Sequence, residues 1–456
     1  MKTKLKFTLI NPTSPLWRID QRSQKPKNSS VFRFSMLPSL SVAAAMPDYV
    51  ETTIIDEDVE PIDFNTDSDL IGITFMTYNA PRAYEIADIF RAKGKTVIFG
   101  GYHPTFMKEE AIEHADAICI GEAEGNVSRM ISDFLKGNLQ PFYQCEPIDL
   151  ADLKPIDRKL IKNGAYITLN AMQATRGCYN QCEFCSVAAF NQYKFRFRPV
   201  FRVIEEMRQL GNYILFMDDN ITLNRAYALE LFEAMKPLKK KWFSQCSITI
   251  AEDDELLDLA YESGCRGLFL GFESLSQKSI SNWKKDCNKR SDYRKVVQKL
   301  HEKGIVIFGA FVFGEDHEGP EVFEQTLDFL LDENVDTLQA TRLTPFPGTP
   351  LFKKMDQEGR IFDKNWSHYD FWHVVHQPMG MDVKTLHAGT AWVLKEFYSR
   401  KNIVRRISRA ASYLELGILA RTVIPINFGY RVKIGGYGTF EIGKRFQPKP
   451  EEMMFV

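Results

Sequence analysis

Three closely spaced cysteines, Cys178, Cys182 and Cys185, constrain this chain more than any other feature of its sequence. They form a CxxxCxxC pattern directly after an apolar run, where a loop follows a predicted strand. Thiolates are the usual ligands of iron–sulfur clusters. Three of them can bind three irons of a cubane and leave the fourth iron open for another ligand. The spacing therefore predicts a [4Fe-4S] cluster with one open coordination position.

Zinc is the alternative metal for these cysteines. A structural zinc site takes four ligands, and the sequence has neither a second CxxC pair nor a nearby HxxxH pattern. A non-catalytic iron–sulfur or zinc regulatory protein stays open as an alternative to an enzyme. The other five cysteines have no metal-ligand spacing, and we predict structural or incidental roles for Cys119, Cys145, Cys246, Cys265 and Cys287.

Length and composition limit the remaining possibilities. At 456 residues the chain exceeds what one hydrophobic core usually supports, so two or three domains are expected. The formal net charge of −1 gives no argument for a nucleic-acid partner. No apolar run reaches the roughly 18–20 residues that span a bilayer, and the basic N-terminus lacks the apolar core of a signal peptide. Eight cysteines without a disulfide pattern add to this, and we predict a cytoplasmic protein.

Residues 1–140 alternate short apolar runs with amphipathic helical patterns. This rhythm predicts a parallel sheet covered on both faces. Five strands suggest a flavodoxin-like or Rossmann-like doubly wound domain, which binds ligands at the carboxyl ends of its strands. The predicted strands are 6–10, 52–56, 70–75, 97–99 and 117–120, and the helices between the later ones are 81–92, 108–114 and 125–135.

The rest of the chain divides into three parts. Residues 141–165 contain three prolines among polar residues, which predicts a linker. Residues 166–355 carry about six strand–helix units, which predicts a partial (β/α)6 TIM-like barrel that is open on one side. Residues 356–456 are predicted to be mostly helical.

Two stretches of the C-terminal part are of interest. The apolar run 412–426 could touch a membrane surface or a lipid substrate. An aromatic and histidine-rich connector follows the barrel, for which we favour packing at a domain junction over a border of the substrate site. The connector contains Trp366, Tyr369, Trp372, His373 and His376.

The cysteine motif, with an aromatic residue before its third cysteine, resembles the signature of the radical S-adenosylmethionine (SAM) superfamily. The segments 216–220, 271–274, 304–314 and 344–350 are similar to that family's strand ends, in the same order. The resemblance implies that the cluster cleaves SAM to a 5′-deoxyadenosyl radical. It also implies SAM contacts from Phe184, Asp218, Asp219, Asn220, Glu273 and Gly309.

Each of these positions has a simpler alternative. Asp218 and Asp219 could cap a helix. Glu273 could form a salt bridge inside the barrel. The glycines of 304–314, Gly309 among them, could serve close packing.

The first 140 residues resemble the cobalamin-binding domain that precedes the barrel in one large radical SAM subfamily. The similar features are the loops at the strand ends, including Gly-Gly-x-His-Pro-Thr and Gly-Glu-Ala-Glu. The resemblance implies that these loops hold the corrin. The implied contacts are Pro12, Thr77, Tyr78, Gly100, Gly101, His103 and Glu122.

The chain departs from many cobalamin proteins in one respect. The loop 11–18 contains no histidine, so the Asp-x-His-x-x-Gly motif that ligates cobalt is absent. For His103 a loop-fixing role is the favoured alternative to a metal ligand. Glu122 could equally be the carboxylate at the start of the following helix.

Taken together, the resemblance implies a cobalamin-dependent radical SAM enzyme that methylates an unreactive carbon. One SAM would methylate the cobalamin, and a second would yield the radical. A non-methylating reaction, as in the oxidative ring-forming enzyme of bacteriochlorophyll synthesis, is the alternative. The implied partners are a small-molecule or lipid substrate and an electron donor of the flavodoxin or ferredoxin type.

Overall fold

Two parallel β-sheets of six strands each form the framework of the protein, as seen in a computed structural model that describes residues 4–14 and 33–434. The first sheet has the strand order β2-β1-β3-β4-β5-β6, which is the flavodoxin-like order expected from the sequence with one strand added. Its strands are β1 (Leu5–Asn11), β2 (Val50–Asp56), β3 (Leu70–Thr74), β4 (Thr96–Gly100), β5 (Ala117–Gly121) and β6 (Phe142–Cys145).

Helices cover both faces of this sheet because successive apolar residues of its strands point to opposite faces. Val97 and Phe99 point into the core shared with the second helix, whereas Ile98 points into the core on the opposite face. The helices are α1 (Leu37–Ala45), α2 (Ala80–Ala92), α3 (Tyr102–Phe106), α4 (Lys108–Ala111) and α5 (Val127–Leu135).

The sixth strand lies where the sequence predicted a linker. β6 pairs in parallel with β5, with Cys119 opposite Tyr143 and Gly121 opposite Cys145. Its burial alternates, since Tyr143 and Cys145 are buried and the residues before each of them are exposed. A strand of four residues beside a proline gives no clear pattern in the sequence. It forms because its backbone pairs with the free edge of β5.

The second sheet has the order β14-β13-β12-β11-β10-β7, and all its pairings are parallel. Its end strands β7 and β14 are not paired to each other, so it forms the open, partial barrel that the sequence predicted. The strands are β7 (Ala171–Met172), β10 (Tyr213–Phe216), β11 (Lys241–Cys246), β12 (Cys265–Glu273), β13 (Val306–Phe313) and β14 (Thr337–Arg342).

A small antiparallel pair and a layer of helices surround this barrel. β8 (Thr175–Arg176) pairs with β9 (Arg196–Phe197), so the chain between them forms a closed loop. Side chains at helix starts accept backbone hydrogen bonds, as Asp253 does from Leu256 N–H. The helices are α6 (Ser186–Phe190), α7 (Val200–Gln209), α8 (Arg225–Met235), α9 (Asp254–Glu262), α10 (Gln277–Asn282), α11 (Tyr293–Glu302) and α12 (Val322–Asp332).

Further helices follow the last barrel strand and form the C-terminal part of the protein. They are α13 (Pro350–Gln357), α14 (Val383–Phe397), α15 (Arg400–Ala410), α16 (Leu416–Ile418) and α17 (Ile424–Ile434), with a π-helical turn at Leu419–Val423. Apolar residues of the run 412–426 pack against the first residues of the barrel strands, including Val306. The run suggested as a membrane or lipid contact therefore packs its buried side chains inside the protein, although Leu416 is exposed.

Among the described residues, none of the helices combines the length and the apolar character needed to cross a membrane.

Candidate active site

A cavity of about 1910 Å³ lies between the carboxyl ends of the two sheets. Strand-end residues of the first sheet, such as Asn11 and Gly121, line one side of it. Residues that follow strands of the second sheet, such as Gln173 and Met217, line another. Pockets for one small ligand usually measure about 300–1,000 Å³. This cavity therefore has room for more than one ligand at once.

The cysteine loop runs from β8 to α6 at the carboxyl end of β7. Gly177, which precedes Cys178, has a φ of +86°, and a Cβ added there would lie 2.2 Å from the carbonyl oxygen of Lys194. Only glycine fits this turn. Farther along, the backbone N–H of Cys185 donates to the carbonyl of Cys182 at 3.1 Å. The tight turn and this bond fix the path of the loop on which the three cysteines sit.

Burial raises the pKa of all three thiols, to about 11 for Cys178 and about 12 for Cys182. The pKa of Cys185 is raised by burial even though the backbone N–H groups of Val187 and Ala188 favour its thiolate. The thiols are therefore protonated at neutral pH in the metal-free chain. Cluster assembly has to displace these protons.

The donor set suits an iron–sulfur cluster. The thiols of Cys178, Cys182 and Cys185 lie near enough for charge on one to raise the pKa of another. Within residues 4–14 and 33–434, no three Cys, His, Asp or Glu side chains converge as ligands of a single metal ion. In a cubane each thiolate binds a different iron, so cluster ligands surround a volume and need not converge on one point.

A buried ion pair lies beside the cysteine loop. Lys285 pairs with Glu273 and also donates to the carbonyl of Gly271 at 3.0 Å. The charge of Lys285 acts to lower the pKa of Cys182, against the larger effect of burial. Lys285 thus binds Glu273 at a bulge of β12, which matches the salt-bridge alternative. The contact of Glu273 with SAM stays a prediction. Lys285 was missed, because it belongs to a different strand–helix unit from the cysteines.

Two other predicted SAM contacts pack against protein side chains. The ring of Phe184 meets the ring of Trp283 edge to face, with 5.0 Å between centroids. A Cβ added at Gly309 would lie 3.0 Å from Val335 and 3.5 Å from Phe272. Neither residue lines the cavity. At Gly309 the geometry matches the close-packing alternative, and the SAM contact of both residues stays a prediction.

Asp218 and Asn220 connect loops of the barrel to each other. Asp218 is fully buried and accepts a hydrogen bond from the Thr175 hydroxyl at 2.6 Å, although burial raises its pKa to about 7. The Asn220 side chain donates to the Ser247 hydroxyl at 2.7 Å. These two residues hold the carboxyl ends of three strands together, and neither lines the cavity.

Asp219 is the residue of this segment that does line the cavity. It accepts a hydrogen bond from the backbone N–H of Gly177 at 3.2 Å, directly before the first cysteine. Burial raises the pKa of Asp219. The hydrogen bond to Gly177 and the position in the lining place its carboxyl group between the cysteine loop and the cavity. Of the polar residues predicted after β10, this one is best placed to reach a ligand.

Most of the predicted cobalamin contacts line the cavity on the side of the first sheet. An added Cβ at Gly100 would have only Cys119 near it, at 3.8 Å, so this glycine faces open space. Gly101 has a φ of +98°, and an added Cβ would lie 2.9 Å from the backbone of Phe75. Thr77 is buried and lies outside the lining. The lining residues are Pro12, Tyr78, Gly100, Gly101 and Glu122.

His103 lies outside the cavity lining, and its corrin contact stays a prediction. Its ring is fully buried, and Nε2 lies 3.1 Å from the hydroxyl of Tyr84. Tyr84 also donates to Glu110, and so does the indole N–H of Trp366. Burial lowers the pKa of His103, which favours its neutral form. The contact with Tyr84 matches the loop-fixing alternative for this residue.

Two arginines of the barrel bind two glutamates of the first domain across the cavity wall. Arg176 lies 3.1 Å from Glu122 and 3.0 Å from Glu124, and Arg196 also pairs with Glu122. Burial would raise the pKa of Glu122, but the hydrogen bond from Arg196 and the two positive charges lower it. Glu122 therefore joins the domains. Arg176 was overlooked even though it stands two residues before the first cysteine.

We expect Glu122→Gln to lower the free energy of unfolding by about 3 kcal/mol, because it removes one partner of a buried charge network. The matched control is Glu205→Gln, which alters an exposed pair with Arg202 and should cost less than about 1 kcal/mol. Urea unfolding of the metal-free chain at pH 7 measures both values. Equal effects of the two substitutions would contradict the prediction.

The stabilisation by Glu122 and its arginine partners depends on pH. Because the pKa of Glu122 is lowered on folding, its contribution is complete above the ordinary value of about 4.5 and is lost as the pH falls below it. The stability difference between the parent and Glu122→Gln should therefore shrink in acid.

Comparisons with known proteins agree with this architecture. The family model of the Radical SAM superfamily matches residues 172–330, and that of the B12 binding domain matches residues 32–130. The chain is 32% identical to the bacteriochlorophyllide d C-12(1)-methyltransferase of Chlorobaculum tepidum, over 89% of this chain and 90% of that protein. It is 26% identical to the anaerobic magnesium-protoporphyrin IX monomethyl ester cyclase of Cereibacter sphaeroides, over 78% of this chain and 63% of that protein.

Two solved structures share the fold. The radical SAM methyltransferase TsrM of Kitasatospora setae, with cobalamin and a [4Fe-4S] cluster bound, aligns with a TM-score of 0.62 at 16% identity and covers 78% of both chains. The cobalamin-dependent SAM radical enzyme OxsB, with aqua-cobalamin and SAM bound, aligns with a TM-score of 0.67 at 14% identity. That alignment covers 94% of this chain and 72% of OxsB. The order of a doubly wound domain, a partial barrel and a helical end is therefore shared.

Proposed function

Because this chain belongs to the radical SAM superfamily, in the group that carries a B12-binding domain, we propose that it transfers a methyl group to an unactivated carbon of a small molecule. Its cofactors are a [4Fe-4S] cluster, SAM and cobalamin. When bound, these groups supply a 5′-deoxyadenosyl radical and a transferable methyl group.

The continuous cavity between the two sheets carries this proposal. It reaches Gly100 and Gly101 in the first domain, and Arg176, Ser186 and Asp219 next to the cysteine loop. A radical and a methyl donor have to act on the same carbon, so both must open into one space that holds the substrate. A site for each cofactor in a separate pocket would not allow this.

Different residues around the cavity are assigned to different cofactors. We assign the corrin to the side of Pro12, Tyr78 and the two glycines, and the amino-acid part of SAM to the side of Asp219. The ion pairs of Arg176 with the first domain hold the cysteine loop in a fixed position relative to the corrin side. The side chains of these pairs are largely buried, so this part of the cavity wall is shielded from water.

We propose a large and mostly apolar substrate. The two curated relatives described above are named for bacteriochlorophyllide d and for magnesium-protoporphyrin IX monomethyl ester. In this chain, aromatic side chains after the barrel and on α17 line the part of the cavity that belongs to neither cofactor side; they are Phe371, Trp372 and Phe428.

The proposed setting is a reducing one. All eight cysteines of the chain are free, including the neighbours Cys119 and Cys145, as in a cytoplasmic protein. The cluster has to be reduced before it cleaves SAM, and we propose an electron donor of the flavodoxin or ferredoxin type.

The test is a count of products. The anaerobically reconstituted and reduced protein should form some 5′-deoxyadenosine from SAM without a substrate. With its substrate it should form one S-adenosylhomocysteine and one 5′-deoxyadenosine for each methyl group transferred. Liquid chromatography with mass spectrometry of the three products measures the ratio. Absence of 5′-deoxyadenosine under all conditions would support the non-catalytic alternative instead.

A radical reaction without methyl transfer is the second candidate function, and the similarity to the cyclase favours it. In that case the product count changes in a defined way. 5′-Deoxyadenosine would accompany an oxidised substrate, and S-adenosylhomocysteine would not increase with turnover.

A further inference from the structure

An aspartate–histidine pair lies on the cavity wall after the barrel, and no step of the proposed reaction uses it. The carboxylate of Asp370 is buried and accepts hydrogen bonds from the backbone N–H groups of Trp372 at 2.8 Å and His373 at 3.0 Å. A carboxylate oxygen also lies 3.0 Å from Nδ1 of the His373 ring. The ring is thus held in one orientation by a group that the backbone itself fixes.

The other ring nitrogen of His373 is available to a ligand. The side chain is 38% exposed and lines the cavity. Within the described part of the chain, its hydrogen bonds all involve Nδ1 or the backbone. A carboxylate beside Nδ1 favours the proton on that nitrogen, which leaves a lone pair on Nε2. The wall therefore presents a preoriented electron-pair donor to the cavity.

Other histidines of the same segment have different surroundings. His368 stacks on His373 with 4.4 Å between ring centroids and binds Asp363, and it does not line the cavity. His376 is fully buried. Of the described histidines in residues 366–376, His373 is the one placed to reach a ligand.

The arrangement is the usual one for a histidine that ligates a metal. Such histidines almost always donate their other N–H to a carboxylate or carbonyl, which sets the tautomer and strengthens the donor nitrogen. The protein supplies one nitrogen ligand here. A metal that is already coordinated by the nitrogens of a macrocycle needs no further ligand from the protein. Phe371 and Trp372 add aromatic side chains to the same wall, which suits a planar ring system.

We propose that Nε2 of His373 is the axial ligand of the central metal of a planar metallated macrocycle, and that this macrocycle is the substrate. The inference rests on the proposed function and specifies its substrate class. His373 then sets the position of the ring in the cavity, and with it the carbon that faces the cofactors. Asp370 is a positioning residue that acts through His373.

Binding of zinc protoporphyrin IX and of metal-free protoporphyrin IX to the reconstituted full-length protein tests the proposal. Difference absorption spectra follow both titrations. We expect the protein to bind the zinc form at least about tenfold more tightly, with a red shift of its main absorption band. His373→Ala should abolish the shift and remove the preference for the zinc form. Asp370→Asn should weaken zinc-form binding by about tenfold, no more than His373→Ala does, and leave the metal-free form unaffected.

His317→Ala is the matched control. His317 also has a carboxylate partner, Glu315, at 3.0 Å from Nδ1, but it lies outside the cavity lining. The His317→Ala variant should retain both the red shift and the preference for the zinc form.

Equal affinities of the parent protein for the two macrocycles, or no binding of either, would overturn the inference. So would a preference retained in His373→Ala. A changed cobalamin spectrum of this variant without any macrocycle would assign the imidazole to cobalt and also overturn it. Formation of 5′-deoxyadenosine from SAM needs no macrocycle, so its presence separates failure of this inference from failure of the proposed function.

Discussion

Replacement of Cys178, Cys182 and Cys185 together by alanine is expected to abolish the visible iron–sulfur absorption and all cleavage of SAM. We propose these three thiolates as the protein's ligands to the cluster, and no neighbouring residue replaces them in the predicted site. Without the cluster no electron reaches SAM. Iron content, the visible spectrum and 5′-deoxyadenosine formation after anaerobic reconstitution measure the loss, which should be complete within detection.

Cys246→Ala is the control for this experiment. Cys246 is a free, buried cysteine of the same barrel at the end of β11, outside the cysteine loop. This variant should keep its cluster and its SAM cleavage, with a modest loss of stability from the smaller side chain. Retention of the iron–sulfur spectrum and of SAM cleavage in the triple variant would refute the metal assignment on which the site depends.

Gly100→Leu is expected to block the corrin without harming the cluster. Gly100 ends β4 and lines the cavity, and an added Cβ would meet only Cys119 at 3.8 Å. A leucine would therefore extend into the space that the corrin requires. Overpacking of this kind costs about 1–3 kcal/mol, which is roughly 5- to 150-fold in affinity. Titration with hydroxocobalamin, followed by gel filtration, measures this loss.

A control variant and a measurement of the cluster in Gly100→Leu itself show whether the loss is specific to cobalamin. Gly417→Leu adds the same side chain at a glycine with no heavy atom near its added Cβ and outside the cavity, and it should bind cobalamin normally. Gly100→Leu itself should keep its iron content and its 5′-deoxyadenosine formation while losing methyl transfer. Unchanged cobalamin affinity in Gly100→Leu would show that the corrin does not occupy this side of the cavity.

Together these two variants separate functions that share one cavity. The cysteine variant removes the radical, and the glycine variant removes the methyl carrier. The buried pairs of Arg176 with Glu122 and Glu124 connect the two sides, because Arg176 directly precedes the turn into the cysteine loop. A disturbance of this network should therefore affect both sides, unlike either of the two variants.

Sequence and structure agree best where the chemistry is local. The cysteine motif lies within one loop, and its spacing alone places three thiols near each other. The two series of strands and helices were predicted because apolar periodicity depends on neighbours along the chain. The chain's flavodoxin-like strand order and open barrel then follow from that alternation. The resemblance to radical SAM enzymes with a cobalamin domain is confirmed by the family models and by the Chlorobaculum tepidum relative.

The direction of individual side chains was not predictable in the same way. Asp218 and Asp219 are neighbours in the sequence, yet one is buried among backbone donors and the other faces the cavity. Gly100 faces the cavity, whereas His103, three residues later, points into a core with Tyr84. A change of one residue along a strand end or turn reverses the side-chain direction, so a motif identifies the loop but not the atom that contacts the ligand.

By itself the sequence determined the metal chemistry, the α/β class and the order of the domains, because each depends on residues close together along the chain. The tertiary structure decided which residues meet: the pairing of β6 with β5, the packing of residues 412–426 on the base of the barrel, and the contacts of Arg176 and Lys285. These contacts join segments far apart in the sequence. Their energy comes from burial and charge pairing that exist only after the segments have folded against each other.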